Sequence, residues 1–258
     1  MPINFHDPKN KLTYSTREAD RGWKEFFAGL LNDDIQHAVD IGCGGGIYSK
    51  ALFEAGIPAV TGVDFSKIMV EAAKTNCVDY SQIDFVMGNA HHTGLPDQSY
   101  DFVFERAIIH HLNDLSSCFS EASRLLKQDG TIFIQDRTPE DCLLEGTSSH
   151  IRGYFFELFP HLREIERQRR HSSIEVIQAL NSAGFTNIEE IKRWELRQKY
   201  TTKKELIADI KERTGRSILH ELTTQQISQL AAFVDQRLPK TGEIIEKDRW
   251  TVWVARKK

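Results

Sequence analysis

Three short segments carry residue types that suit a ligand built from a ribose, a base and a charged group. The first is Val39-Asp-Ile-Gly42-Cys-Gly44-Gly-Gly46. Glycines in such a run let the backbone turn sharply and approach a ligand with no side chain in the way. The second is Asp64 in Gly62-Val-Asp-Phe-Ser66, whose carboxylate can accept hydrogen bonds from both hydroxyls of a ribose. The third is Gly88-Asn89-Ala90, where an amide side chain can hydrogen-bond an adenine edge. Two histidine pairs add acid–base capacity. His110 and His111 can take a proton from an oxygen or nitrogen, because imidazole titrates near neutrality. His91 and His92 suit the edge of the base or the solvent. No metal is expected, since adjacent histidines rarely supply zinc geometry. Cys43, inside the glycine run, reads as a small space-filler.

These segments need elements to hold them. His37–Ile41 is a compact apolar strand candidate that ends in the glycine run, and residues 47–55 have helical spacing. Strands are expected at 59–63, 82–87, 100–104 and 131–134, with Asp129-Gly130 as a turn before the last. Ser66 suits the cap of a helix through Lys74, and an apolar helix should run up to Leu126. Strands alternating with helices imply parallel units with right-handed crossovers, a doubly wound α/β sheet. In such a sheet, ligands lie beyond the carboxyl ends of the strands, where all three segments fall. Later in the chain a helix is expected at 173–183, a strand at 186–194, continuous helix over 201–238 capped by Thr201 and Thr223, and a strand at 250–254.

The combination Val39-Asp-Ile-Gly-Cys-Gly44, Val63-Asp-Phe-Ser66, Gly88-Asn-Ala90, Leu95-Pro96, Ser99-Tyr-Asp-Phe-Val103, His111-Leu112 and Arg124-Leu-Leu-Lys-Gln-Asp-Gly130 resembles the class I S-adenosylmethionine-dependent methyltransferases, type 11. The resemblance covers residues 37–136. It implies a mostly parallel, seven-stranded Rossmann-like sheet, with S-adenosyl-L-methionine as cofactor. Gly42 and Gly44, preceded by the acidic Asp40, should then pass under the methionine moiety. Asp64 should hold the ribose, Phe65 and Met69 should flank adenine, and Asn89 and Ala90 should lie at its edge. Family members commonly carry aspartate at the position of Asn89. Arg106 lies where the family contacts the methionine end, and Tyr14 and Arg17 where its leading helix caps the cofactor. A histidine pair at 110–111 is a habit of the family, so these residues serve either as a base or as loop shapers.

The 258 residues carry a net charge of -4, with 40% hydrophobic and 27% charged residues. That balance argues against a nucleic-acid coat or a membrane-surface protein. No stretch has the length of a membrane span, and the first residues do not read as an export signal, so the cytoplasm is expected. The expected organisation is a helical cap segment at 1–36, then a methyltransferase domain at 37–258. Helical insertions at about 138–171 and 197–246 form a cap. Tyr154, Phe155, Phe156 and Phe159 suit a core or an aromatic lid. Arg167, Arg169 and Arg170 suit a solvated helix face or, with Arg137 and Arg152, an anionic acceptor. Methyl transfer to a small-molecule acceptor is the leading reading. A non-catalytic binder of the same cofactor is the alternative. A nicotinamide-dependent dehydrogenase fits less well, because Ile47 stands where a third small residue is wanted. A nucleic-acid acceptor finds no basic face.

Overall fold

The structure is a computed structural model that describes residues 18–31, 34–240 and 242–258. Strand β1 (His37–Ile41) is buried from its second residue onward. Strands β2 (Ala59–Asp64) and β4 (Tyr100–Arg106) are nearly as dry. Such continuous apolar runs belong to strands covered on both faces. With β3 (Ile83–Met87), β5 (Leu126–Asp136), β6 (Phe185–Tyr200) and β7 (Ile244–Lys257) they form one sheet in the order β3-β2-β1-β4-β5-β7-β6. Neighbours from β3 to β5 pair in parallel, and β7 pairs antiparallel with β5. The doubly wound, seven-stranded α/β expectation holds.

Two compact units divide the chain. The larger holds residues 18–136, 173–191 and 251–258, and the smaller holds 137–172 and 192–250. In the larger unit the two-residue strand period sorts side chains into two layers. Phe102, Phe104, Phe133 and Val252 face helix α1 (Arg21–Ala28) and its Trp23 and Phe27. Val103, Ile132, Ile134 and Trp253 face the other way, onto Phe119 and Ala122 of α4 (Leu115–Leu125) and Leu180 of α8 (Ser173–Ser182). Trp23 is wholly buried and donates its indole N–H to Gln135 Oε1 at 2.8 Å, which satisfies both polar groups inside the core. Helix α2 (Ile47–Glu54) follows the glycine loop and α3 (Lys67–Asn76) follows Ser66.

The smaller unit contains α5 (Pro139–Cys142), α6 (Gly153–Leu158), α7 (Leu162–Gln168), α9 (Lys203–Glu212) and α10 (Thr224–Arg237). Its own core gathers Tyr154, Phe155 and Phe156 with Leu206, Ile210, Leu219, Leu230 and Val234, and Phe159 packs against it. The aromatic patch is therefore core. Three local expectations need correction. Residues 201–238 are not one helix: Arg213 and Gly215 adopt left-handed backbone (φ 60° and 61°), which ends α9 and leaves a short 3-10 turn at Ser217–Glu221. The cap of α9 is Thr202 rather than Thr201, whereas Thr223 makes a full capping box with Gln226. Strand β5 begins at Leu126, with Asp129 at φ 61° as a turn inside it, and β6 and β7 extend beyond their apolar centres into polar sequence.

Candidate active site

The strand order turns outward in both directions from β1 and β4, and this is the crevice where open α/β sheets bind ligands. Across the carboxyl ends of β3, β2, β1, β4 and β5 stand, in order, Asn89 and Ala90, Asp64 and Phe65, Gly42 and Gly44, Arg106 with His110, and Asp136.

The loop after β1 is bound to β2 by its backbone. Gly42 N–H and Cys43 N–H both donate to Val63 O, at 2.8 and 3.0 Å. Gly42 has φ 78°, and a Cβ there would lie 2.5 Å from Ile108 Cδ1. Glycine at 42 thus lets the β4 loop close against the β1 loop. Gly44 also has a left-handed φ, 52°, but a Cβ there would meet nothing within 4 Å. Its open face is the cradle that a bound group would fill. Cys43 is buried, and burial, reinforced by Asp40 and Asp64, holds its thiol well above the usual range. It is a packing residue.

Asp64 organises this loop. Its Oδ2 accepts from Gly44 N–H at 2.9 Å and its Oδ1 from Ser66 N–H at 2.9 Å. Each carboxylate oxygen has two acceptor positions, the chemistry a pair of ribose hydroxyls requires. Phe65 beside it is 56% exposed, an unusual position for so large an apolar ring, whereas Met69 is buried in α3. Asn89 is exposed and its Oδ1 accepts from His91 N–H at 2.9 Å, a tight turn that holds Ala90 in place. His91 and His92 belong to this turn, since Asn89 and His92 exchange backbone hydrogen bonds at 2.9 and 3.2 Å.

Asp40 is placed differently from a ligand-facing acid. It is buried beneath the loop and accepts from Ser49 Oγ at 2.6 Å. Burial pushes its carboxyl up to about 7, against the bond from Ser49. Arg106 lies with its guanidinium carbon 4.4 Å from the centre of the Tyr48 ring. This cation–π contact fixes the arginine beside the first turn of α2. Tyr14 and Arg17 fall outside the described residues.

Beyond β4, Ala107 takes a left-handed φ of 54° and donates its N–H to Gln135 O at 2.9 Å. Such a backbone is costly for a residue with a side chain and recurs at functional turns. It leads into a 3-10 turn, Ile109–His111. There His110 Nδ1 lies 3.0 and 2.8 Å from the two oxygens of Asp136, and its backbone N–H reaches the same carboxylate at 3.3 Å. A carboxylate only accepts, so Nδ1 holds the proton and the neutral ring keeps its lone pair on Nε2. The His110 side chain is 19% exposed and that of Asp136 2%, a reachable base oriented by a buried acid. His111 is exposed, with its ring 3.9 Å from that of His110. The pairing of Asp136 with His110 was not foreseen from the sequence. The available signal was an acid at the end of the strand next to the histidines. Among the described residues no group of three His, Cys, Asp or Glu is arranged to hold a metal, and no helix is long and apolar enough to cross a membrane.

Residues 39–134 match the family described as methyltransferase domain. The chain is 31% identical over 169 residues to the uncharacterized methyltransferase YcgJ of Bacillus subtilis, a match covering 64% of this chain and 63% of that protein. It is 35% identical over 98 residues to a ubiquinone biosynthesis O-methyltransferase of Pelagibacter ubique, covering 37% of this chain and 40% of that one. The chain thus spans less than two thirds of either relative. The crystal structure of YcgJ has the same fold, with a TM-score of 0.62 at 20% identity over 93% of this chain and 100% of that one. So does Haemonchus contortus phosphoethanolamine N-methyltransferase 2 in complex with S-adenosyl-L-methionine. Its TM-score is 0.59 at 18% identity, over 99% of this chain and 60% of that chain.

Proposed function

We propose that the chain, whose residues 39–134 match the methyltransferase domain family, is a class I S-adenosylmethionine-dependent methyltransferase that transfers a methyl group to a hydroxyl or amine of a small molecule in the cytoplasm. The observation that carries this reading is the Asp64–Gly44 unit at the sheet crevice, with the open face of Gly44 above it and exposed Phe65 beside it. These residues fit S-adenosylmethionine. When bound, that cofactor supplies a methyl group made electrophilic by the sulfonium. Gly42 and Gly44 would pass beneath the methionine portion, Asp64 would take the ribose hydroxyls, and Phe65 and Asn89 would meet the adenine.

The chain's own contribution is then orientation and the removal of one proton. Methyl transfer is chiefly in-line positioning, and a base is needed only when the acceptor must lose a proton. His110, its Nδ1–H held by Asp136, offers Nε2 to that proton. The resulting imidazolium is stabilised by the buried carboxylate. An O–H acceptor accords with the O-methyltransferase name of the Pelagibacter relative. A reachable His110–Asp136 pair also favours an enzyme over a non-catalytic binder of the same cofactor.

The test is transfer of a labelled methyl group from S-adenosylmethionine to pools of hydroxylated and amino metabolites. Label should move into one pool with the wild-type chain and fail to move with Asp64→Ala. Transfer at an unchanged rate by Asp64→Ala would remove Asp64 from the site.

A further inference from the structure

The smaller unit buries arginines that the proposed reaction does not use. Arg170 Nε donates to Glu166 Oε1 at 2.7 Å, and Arg137 Nη1 to Asp248 Oδ2 at 3.1 Å. Arg152, 5% exposed, is held more loosely than either. Its Nη1 lies 3.4 Å from Glu166 Oε1 and its Nε 3.6 Å from Asp248 Oδ1. That Nε is shielded from solvent and has no hydrogen-bond partner. Charge-assisted bonds of this kind normally close to about 2.8 Å, and a guanidinium keeps its charge at any ordinary pH. A buried, unmatched N–H on a permanent cation calls for an explanation.

His150 supplies the second observation. It is 1% exposed, and its Nδ1 lies 3.2 Å from the carbonyl oxygen of Lys247. A carbonyl only accepts, so Nδ1 carries the proton and Nε2 keeps a lone pair. That Nε2 is also buried without a hydrogen-bond partner. Burial lowers the ring's proton affinity, and nearby Arg152 adds to this against the Lys247 carbonyl, Asp248 and Glu246. The ring meets Trp194 edge-on, with centroids 5.2 Å apart. Positive charge is concentrated here: Arg137 is pulled below its usual value by burial and then by Arg152 and Arg170. Cys142 does not act as the counter-ion, because burial pushes its thiol up to about 11 despite these arginines.

We infer that His150 and Arg152, in the field of Arg137 and Arg170, form a site for a small oxyanion that carries one proton, of the hydrogenphosphate or phosphate-monoester class. Such a group offers both partners that the site lacks. An unprotonated oxygen accepts from Arg152 Nε–H, and the P–OH donates to His150 Nε2. A carboxylate has acceptors only and leaves His150 unmatched. The site lies wholly within the smaller unit and does not depend on the cofactor reading.

The test is calorimetric titration of the full chain with inorganic phosphate and with acetate, at a pH just above neutrality, where the singly protonated phosphate predominates, and at matched ionic strength. The wild type should bind one equivalent of phosphate saturably and acetate at least about tenfold more weakly. Arg152→Met and His150→Phe should each weaken phosphate at least about tenfold, the size expected for a buried charge-assisted bond. Circular dichroism checks that each variant is folded. If Arg152→Met does not fold, Arg152→Lys keeps the charge, loses the Nε donor, and should show the same loss. Absence of saturable phosphate binding in the wild type would overturn the inference. So would phosphate affinity unchanged in both folded variants, or acetate bound as tightly as phosphate; the first of these means that the buried ions serve the fold alone.

Discussion

Replacing Glu105 by glutamine should stabilise the protein by an amount that grows as pH rises from about 4.5 to about 7 and then levels off. Glu105 lies on β4, fully buried, with its Oε1 3.4 Å from Cys118 Sγ and its Oε2 without a hydrogen-bond partner. Burial, and to a lesser extent Asp136, raises its carboxyl from 4.5 to about 7, against the hydrogen bond from Cys118. A raised folded value means that the fold prefers the protonated acid. Its stabilising contribution is whole below about 4.5 and is lost as pH rises through about 7. At about 1.4 kcal/mol per tenfold step, the interval of roughly 2.5 decades corresponds to about 3 kcal/mol by pH 8. Glutamine keeps the acceptor for Cys118 and never ionises. With about 2 °C per kcal/mol for a chain of this size, the variant should melt about 6 °C above wild type at pH 8 and level with it near pH 4.5. Asp40, also raised to about 7, titrates in both proteins and cancels in the difference. Thermal unfolding across pH 4.5 to 8 reads this directly. A difference in Tm that does not change with pH would show that Glu105 is ionised without penalty, and would refute the reasoning.

Three further outcomes follow from the same contacts. Gly44→Ala places a methyl group into the open face of the loop at φ 52°; it should cost about 1 kcal/mol of stability but at least about tenfold in S-adenosylhomocysteine affinity by calorimetry. Asp136→Asn can leave the His110 proton on the wrong nitrogen, so single-turnover methyl transfer should slow by at least about a hundredfold while cofactor affinity holds. Arg216, 1% exposed, binds Glu246 Oε2 at 2.8 Å and also Asp209; Arg216→Met leaves Glu246 with Arg197 as its one remaining ion-pair partner among the described residues, beside the Tyr200 hydroxyl, and should cost about 3–5 kcal/mol in denaturant unfolding.

Much of the site was legible because its residues act through backbone geometry and strand ends. The run of Gly42, Gly44 and Gly46 announces a loop that a side chain would obstruct, and Asp64 stands where a parallel strand must stop. Asp136 was less legible as a partner for His110. The two are 26 residues apart, and only the β4–β5 pairing, Arg106 opposite Gln135, brings them together. Asp40 misled in the other direction: an acid beside a glycine loop suggests a ligand contact, but strand alternation turns it inward to Ser49. Tyr154, Phe155 and Phe156 fitted lid and core equally well as sequence. The partners that make them core, such as Leu206 and Leu230, come from distant helices. The basic run also divided in a way that charge alone does not predict: Arg170 is buried on Glu166, while Arg167 and Arg169 pair with Glu164 and Glu221 nearer the surface.

The central claim is that the crevice beyond β1 and β4 is built for an adenosyl ligand held by Asp64. Calorimetric titration of the full chain with S-adenosylmethionine, S-adenosylhomocysteine and NAD, repeated with Asp64→Ala, tests it most directly. Both adenosyl ligands should bind the wild type, NAD should not, and the variant should lose at least about a hundredfold in affinity while still unfolding cooperatively, as removal of paired charge-assisted hydrogen bonds predicts. Binding of NAD alone would contradict the account and return the glycine loop to a dinucleotide.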